Sequence, residues 1–438
     1  MRVNYKESLI QKIKKKEIKI GIIGLGYVGL PLSLTFSEKG LYVYGFDIDK
    51  TKIDSIINGL SYIQHIENNR IKNAVALNKF NPTTNFKKIS EVDVIIICVP
   101  TPLDIHREPD LSYIISTLDS IKPHIKEGQL LSLESTTYPG TTDEIIKPII
   151  EEKGLTIGQD FFLVYSPERE DPGNKKYNTS NIPKIVGGIT KECTEIGVLL
   201  YQQSIIEVVD VSNTRAAEMT KLLENIHRAV NIGLVNELKP LADKMGIDLY
   251  EVIRAAATKP FGFNAYYPGP GLGGHCIPID PFYLTWKARE YQMHTRFIEL
   301  AGEINNNMPN YVLEKIIESL NDRGKPLKGS KILILGISYK KNIDDMRESP
   351  SVILMELIKK KGGELSFCDP YFKSFPKMRE HSFNLLCIDI NEHSLPKFDA
   401  VILATDHDSF DYKLIEQHSR LIIDTRGRFK PSPKIVRA

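Results

Sequence analysis

Ile18-Lys-Ile-Gly-Ile-Ile23 runs straight into Gly24-Leu-Gly26-Tyr-Val-Gly29, then an apolar stretch Leu30 to Glu38, then Leu41-Tyr-Val-Tyr-Gly-Phe46 closed by Asp47. The first and last runs read as buried strands and the middle one as a helix, with a glycine turn between strand and helix. That order gives each glycine a task. Gly24 serves the tight turn, Gly26 lets backbone approach a pyrophosphate, and Gly29 lets the helix pack closely. Tyr27 and Val28 fill the remaining turn positions. Asp47 stands where an acid hydrogen-bonds a ribose 2′-hydroxyl and repels a 2′-phosphate, which favours NAD over NADP. Lys52 nearby works slightly against that preference.

Further buried-strand runs at Val92 to Val99, Gln129 to Leu133 and Phe161 to Tyr165 alternate with helical stretches, as a doubly wound parallel sheet requires. Ligands in such sheets lie beyond the carboxyl ends of the strands, so Thr101, Ser135, Thr136 and Glu168 become site candidates, with turn formation as their plainer explanation. After Asn321-Asp-Arg-Gly-Lys-Pro-Leu-Lys-Gly-Ser, a polar Gly/Pro linker, the alternation restarts. Lys331 to Gly336, a helix from about Ser351, Leu365 to Cys368, Ala400 to Ala404 and Leu421 to Asp424 predict a second, smaller Rossmann-like α/β domain. Asp345-Met-Arg347 and Asp424-Thr-Arg426-Gly-Arg428 place arginines near strand ends, where forked donors bind phosphate.

Between the two sheets, Met219, Leu222, Leu223, Ile226, Val230, Leu234, Leu238 and Leu241 keep a helical period over about Thr214 to Met245. A helix that long bridges domains or pairs with a second subunit. Lys221 and Asn225, four apart, share one of its faces. The expected division is an extension at 1–17, an NAD-binding domain at 18–210, a central helical domain at 211–320 and a C-terminal domain at 321–438.

Gly269-Pro-Gly271-Leu-Gly273-Gly274-His275-Cys276-Ile-Pro-Ile279-Asp280-Pro281 carries the strongest chemical cue. The glycines allow a tight bend and the close approach of a ligand beside the thiol, and the helix pattern that follows puts Cys276 near a helix N-terminus, where thiols acidify. A small inert residue in a gap is the competing explanation. Asp280 also fits as a helix N-cap with Pro281 in the first turn.

Composition sets limits. Lys and Arg total 57 against 55 Asp and Glu, a net charge of +2, which gives no reason to expect nucleic acid or a membrane surface as partner. No apolar stretch approaches the roughly 18 residues of a spanning helix, and residues 1–17 lack the apolar core of a secretory signal, so a cytoplasmic location is expected. Cysteines 98, 193, 276, 368 and 387 are scattered without metal-ligand spacing, so neither a disulfide framework nor a metal site is expected. The basic segment around Lys6 to Lys16 reads as an amphipathic helix packed on the body.

Together these pieces resemble the UDP-sugar 6-dehydrogenases, the family of UDP-glucose, UDP-N-acetylglucosamine and UDP-N-acetylmannosamine dehydrogenases. The resemblance runs from about residue 18 to 430. It is carried by Gly24 to Gly29, Val99-Pro-Thr-Pro102, Ser135-Thr136, Ser166-Pro-Glu168, Lys221 to Asn225, Gly273 to Asp280, Tyr339-Lys340-Lys341 and Asp345 to Glu348. It implies oxidation of a sugar C6 alcohol to a carboxylate with two NAD+, through a thiohemiacetal and a thioester on Cys276. Lys221 and Asn225 would stabilise the oxyanion, while Asp280 and Glu168 handle protons and Thr136 positions a water. Tyr339, Lys340 and Arg426 would grip the uridine diphosphate, with Gly273 beside the sugar, and Arg347 would reach the cofactor side. Lys259 falls where the glucose branch sends an arginine into a neighbouring subunit's sugar pocket.

Ile279, in place of a lysine, and His275 depart from the glucose branch, as does the segment holding Glu170 and Asp171. These departures most resemble UDP-N-acetylglucosamine 6-dehydrogenases of surface-polysaccharide pathways, with UDP-glucose or UDP-N-acetylmannosamine as alternatives and a homodimer or higher oligomer as the expected assembly. Two other readings stay open. One is a β-hydroxyacid dehydrogenase, which would need neither Cys276 nor residues 330–438; the other is a catalytically silent nucleotide-sugar or NAD sensor.

Overall fold

The computed structural model describes residues 4–63, 66–104, 106–169, 177, 179–274, 277–376, 378 and 381–438. Two compact units divide the chain, residues 1–224 with 282–293 and residues 225–281 with 294–438. The division falls inside the long helix, which spans Thr214–Lys244.

The first unit is built on eight strands: β1 (Lys19–Ile23), β2 (Tyr42–Phe46), β3 (Phe80–Thr83), β4 (Val94–Ile97), β5 (Leu130–Leu133), β6 (Phe162–Tyr165), β7 (Lys184–Gly188) and β8 (Val208–Val211). Their spatial order is β3-β2-β1-β4-β5-β6-β7-β8. Every neighbour pair is parallel except β6 with β7, where Val164 faces Gly188. That antiparallel step, and β7 and β8 themselves, had no counterpart in the sequence reading, because Lys184-Ile-Val-Gly-Gly is short and ends in two glycines. β4, β5 and β6 are buried along their whole length, which explains their apolar runs, broken only by Ser132: helices cover both faces of such a sheet. Helix Gly29–Glu38 packs on β1, β2 and β3, while helix Lys191–Tyr201 packs from β5 to β8.

The N-terminal helix Tyr5–Lys14 buries Leu9, Ile10 and Ile13. Lys6 pairs with Glu195 and Lys12 with Asp93, so the basic extension lies on the body, as its pattern predicted.

The second unit holds β9 (Lys331–Leu335), β10 (Glu364–Cys368), β11 (Ala400–Leu403), β12 (Ile422–Asp424) and β13 (Ile435–Arg437), ordered β10-β9-β11-β12-β13. All four neighbour pairs are parallel. Each sheet reverses its strand order beside its first strand, between β1 and β4 and between β9 and β11. Those reversals open crevices at the carboxyl ends of the strands, the usual ligand position in this architecture. No described helix is long and apolar enough to cross a membrane.

Candidate active site

At the end of β1, Gly24 has φ +92°, and a Cβ there would lie 2.6 Å from the Cys98 carbonyl oxygen at the end of β4. A Cβ on Gly29 would come within 1.9 Å of Gly24 O. Gly26 differs: a Cβ there would meet nothing within 4 Å, so backbone lies bare on the open side of the turn. No side chain caps the helix that starts at Gly29, but Leu30 N already donates to Gly26 O and Leu32 N to Val28 O, and Pro31 has no N–H, so the helix start offers an anion fewer amides than usual.

Asp47, 6% exposed, accepts from Leu25 N and Asp49 N, both at 2.9 Å. Lys52 Nζ is 3.1 Å from its Oδ2, so that lysine neutralises the acid's surroundings rather than offering a phosphate site. A bare glycine at the turn and an anchored acid at the second strand fit an NAD pyrophosphate and ribose. Tyr27 and Val28 are half-buried in the same turn. Thr101, 5% exposed, follows β4, and its carbonyl accepts from Tyr283 Oη at 2.9 Å. Thr136 follows β5, half-buried.

Glu168 and Lys221 come together in the first unit. The lysine, 6% exposed, donates to Glu168 O at 2.5 Å and lies 3.7 Å from the carboxylate. Desolvation raises the Glu168 carboxyl above the ordinary carboxylate range, opposed by the charges of Lys221 and Lys184.

Beneath it lies a network the sequence reading missed. Lys184 Nζ donates to Glu134 Oε2 at 2.6 Å and to Pro167 O at 3.3 Å, while Tyr201 Oη donates to Glu134 Oε1 at 2.6 Å. Two lysines thus grip the consecutive carbonyls of Pro167 and Glu168. A small pocket beside this network is lined by Val28, Leu32, Glu134, Glu168 and Lys184 among others. The missed signal was ionisable residues bordering apolar strands: Glu134 just after β5, Lys184 opening β7. Glu218 was missed too. It accepts from Gly140 N, Thr142 N and Thr142 Oγ1 and so ties the chain after β5 to the long helix.

In the second unit Asn225 Nδ2 donates to Asp280 Oδ2 at 2.5 Å, and the acid is 3% exposed. Helix Asp280–Glu290 begins at Asp280 itself, one residue earlier than the N-cap reading placed it. Lys221 and Asn225 sit one turn apart on the long helix.

Cys276 and His275 lie outside the described residues, as do Glu170 and Asp171. Protein packs closely against the glycines before the thiol. A Cβ on Gly273 would fall 2.5 Å from Tyr339 Cβ, one on Gly274 (φ +92°) 2.9 Å from the Tyr339 ring, and one on Gly269 2.8 Å from Arg426 Nη1. Arg426 donates from Nε to Ala404 O at 2.7 Å, and burial lowers its guanidinium from the usual value. Lys340 is half-buried. Arg347 forms an ion pair with Asp345 at 2.6 Å, and Gly274 N donates to Arg347 O. Lys259 is exposed, its ammonium 5.0 Å from the Phe261 ring centroid.

Three models of the UDP-glucose/GDP-mannose dehydrogenase family match in order: its NAD binding domain at residues 18–205, its central domain at 215–307 and its UDP binding domain at 333–431. Among curated proteins, a UDP-N-acetyl-D-glucosamine 6-dehydrogenase of Salmonella typhi is 37% identical over 396 residues, covering 90% of this chain and 91% of that protein. A UDP-N-acetyl-D-mannosamine dehydrogenase of Methanococcus maripaludis is 34% identical, covering 90% and 87%. Among solved structures, the UDP-D-ManNAc dehydrogenase from Pyrococcus horikoshii superposes with a TM-score of 0.86 at 32% identity, covering 96% of this chain and 99% of that one.

Proposed function

The chain belongs to the UDP-glucose/GDP-mannose dehydrogenase family, and from that premise we propose that this NAD-dependent oxidoreductase converts the C6 hydroxyl of UDP-N-acetyl-D-glucosamine to a carboxylate for surface-polysaccharide synthesis. The observation that carries the site assignment is the buried Lys221 against Glu168, a fixed cation beside a carboxyl whose basicity desolvation has raised.

Gly24, Gly26, Gly29, Asp47 and Thr101 hold NAD, which when bound accepts a hydride in each of the two oxidations. Asp280, held by Asn225, takes the C6 hydroxyl proton as the alcohol becomes an aldehyde. The Cys276 thiolate then forms a carbon–sulfur bond at C6, and the electron pair of the carbonyl bond moves to oxygen, where Lys221 and Asn225 stabilise it. Loss of the second hydride leaves a thioester. Glu168 takes a proton from a water positioned by Thr136, that water adds to C6, and the carbon–sulfur bond breaks to release the carboxylate. Tyr339, Lys340 and Arg426 bind the uridine diphosphate and Gly273 lies beside the sugar. Arg347 serves the cofactor side and Lys259 a neighbouring subunit.

UDP-N-acetylmannosamine is the second reading, favoured by the likeness to the Pyrococcus enzyme. NADH formation with UDP-N-acetylglucosamine, UDP-N-acetylmannosamine, UDP-N-acetylgalactosamine and UDP-glucose, compared as kcat/KM, separates the candidates. A preference for any of the last three overturns the substrate assignment while leaving the cysteine chemistry in place.

A further inference from the structure

The second sheet repeats the device that ends β1. Gly336 follows β9 with φ +80°, and a Cβ there would lie 2.4 Å from Thr405 O, just as one on Gly24 would meet Cys98 O. Asp369 follows β10 as Asp47 follows β2, and accepts from Ile337 N at 2.8 Å and Ser338 N at 3.2 Å. The two acids differ in what else meets them. Asp47 pairs with a lysine that is one-third exposed. Asp369 instead meets His407 Nε2 at 3.1 Å, with both side chains wholly buried. A ribose cannot reach an acid closed in this way.

His407 has a second partner: its Nδ1 accepts the Asn342 N–H at 3.0 Å. An imidazole that accepts at Nδ1 carries its proton at Nε2, so a neutral His407 donates to Asp369 while receiving Asn342. Around the same stretch Thr405 Oγ1 donates to Ser338 O at 2.6 Å and Ser338 Oγ to Ile343 O at 2.8 Å. Asn342 sits at φ +62° and exchanges hydrogen bonds with Asp408, at 2.6 and 3.0 Å. Every one of these contacts holds residues 337–345, the stretch that carries Tyr339 and Lys340.

We propose that His407 is a positioning residue for the nucleotide end of the substrate: by bridging Asp369 and Asn342 it sets the 337–345 loop, and with it the grip of Tyr339 and Lys340 on the uridine diphosphate. The inference rests on the role assigned to those two residues above. It deepens that reading, since the second sheet has turned its ribose-type acid inward to build a loop anchor.

The test uses the full-length enzyme with UDP as probe. His407→Phe occupies the space but makes neither hydrogen bond, whereas His407→Gln restores a donor for Asp369. In the phenylalanine variant the calorimetric Kd for UDP and the KM for the nucleotide sugar are expected to rise about tenfold, the equilibrium factor of roughly one net hydrogen bond, with kcat and the KM for NAD within about twofold. The glutamine variant, which restores the bond to Asp369 but not the one from Asn342, should recover part of the loss, and ¹⁵N spectra of the parent should show His407 protonated at Nε2. Should the phenylalanine variant fail to fold, His407→Asn, which keeps only the acceptor for Asn342, is expected to weaken UDP in the same way.

Unchanged UDP binding in folded His407 variants overturns the proposal, and so does an equal loss of NAD and UDP affinity. Lys340→Ala separates the two levels. If it binds UDP as the parent does, the assigned role of Lys340 fails; if it loses UDP while His407→Phe retains it, only the positioning claim fails.

Discussion

Desolvation keeps a proton on Glu168 at pH values where an exposed glutamate has lost it. A base with that property loses activity as pH falls through its raised value, so the acid limb of kcat should lie above the ordinary carboxylate range. Glu168→Gln is expected to lower kcat by about 10² to 10⁴-fold, the usual contribution of a positioned general base. It should also leave the sugar attached to Cys276, visible by mass spectrometry of enzyme quenched during turnover; rapid turnover with no adduct would remove Glu168 from the hydrolytic step. Glu218 gives a stability test. Burial pushes its carboxyl up to about 7 despite three donors. Between the ordinary carboxylate range and that value, the unfolded chain has released a proton that the folded chain retains. Stability should therefore fall as pH rises across the window and level off above it. Urea midpoints measured across pH should show that slope in the parent and not in Glu218→Gln.

At the scale of elements, the glycine run before Cys276 behaves as a packing surface. Gly273→Ala would put a methyl 2.5 Å from Tyr339 Cβ and 3.0 Å from Glu348 O, a backbone contact that cannot give way as a flexible side chain would. The expected result is a loss of about 1–3 kcal/mol from overpacking, with a raised KM for the nucleotide sugar because Tyr339 must shift. Thermal melts and initial rates check both parts.

The elements also show what could be read in advance. The turn Gly24 to Gly29, Asp47 and the long helix were legible because each is a local pattern: a spacing, a strand-ending acid, a 3.6-residue period. β7 and β8 were not, since four or five residues with glycines or charges carry no distinguishing period. Glu134, Lys184 and Tyr201 were hidden for a different reason, as their meaning depends on partners 50 or more positions away in the chain.

For the molecule as a whole, the long helix leaves apolar side chains outside either unit's core. Leu234 is 53% exposed and Leu241 54%. A face of that kind is suited to association, in line with the expected homodimer or higher oligomer. Replacing Leu234 and Leu241 together by lysine should give a monomer by light scattering. Each change alone should alter stability little, within about 0.5 kcal/mol, as for ordinary surface positions. A monomer in the parent enzyme would end that expectation.

By itself the chain determined the two α/β sheets, the cofactor and the family, because strand and helix periods and the glycine turn are properties of neighbouring residues. Only the folded molecule decided why Gly273 and Gly274 must be glycines, that Lys184 and Glu134 lie beneath Glu168, and that His407 closes the second acid. Those facts arise where distant segments meet in a desolvated interior, and there every polar group must find a partner from elsewhere in the chain.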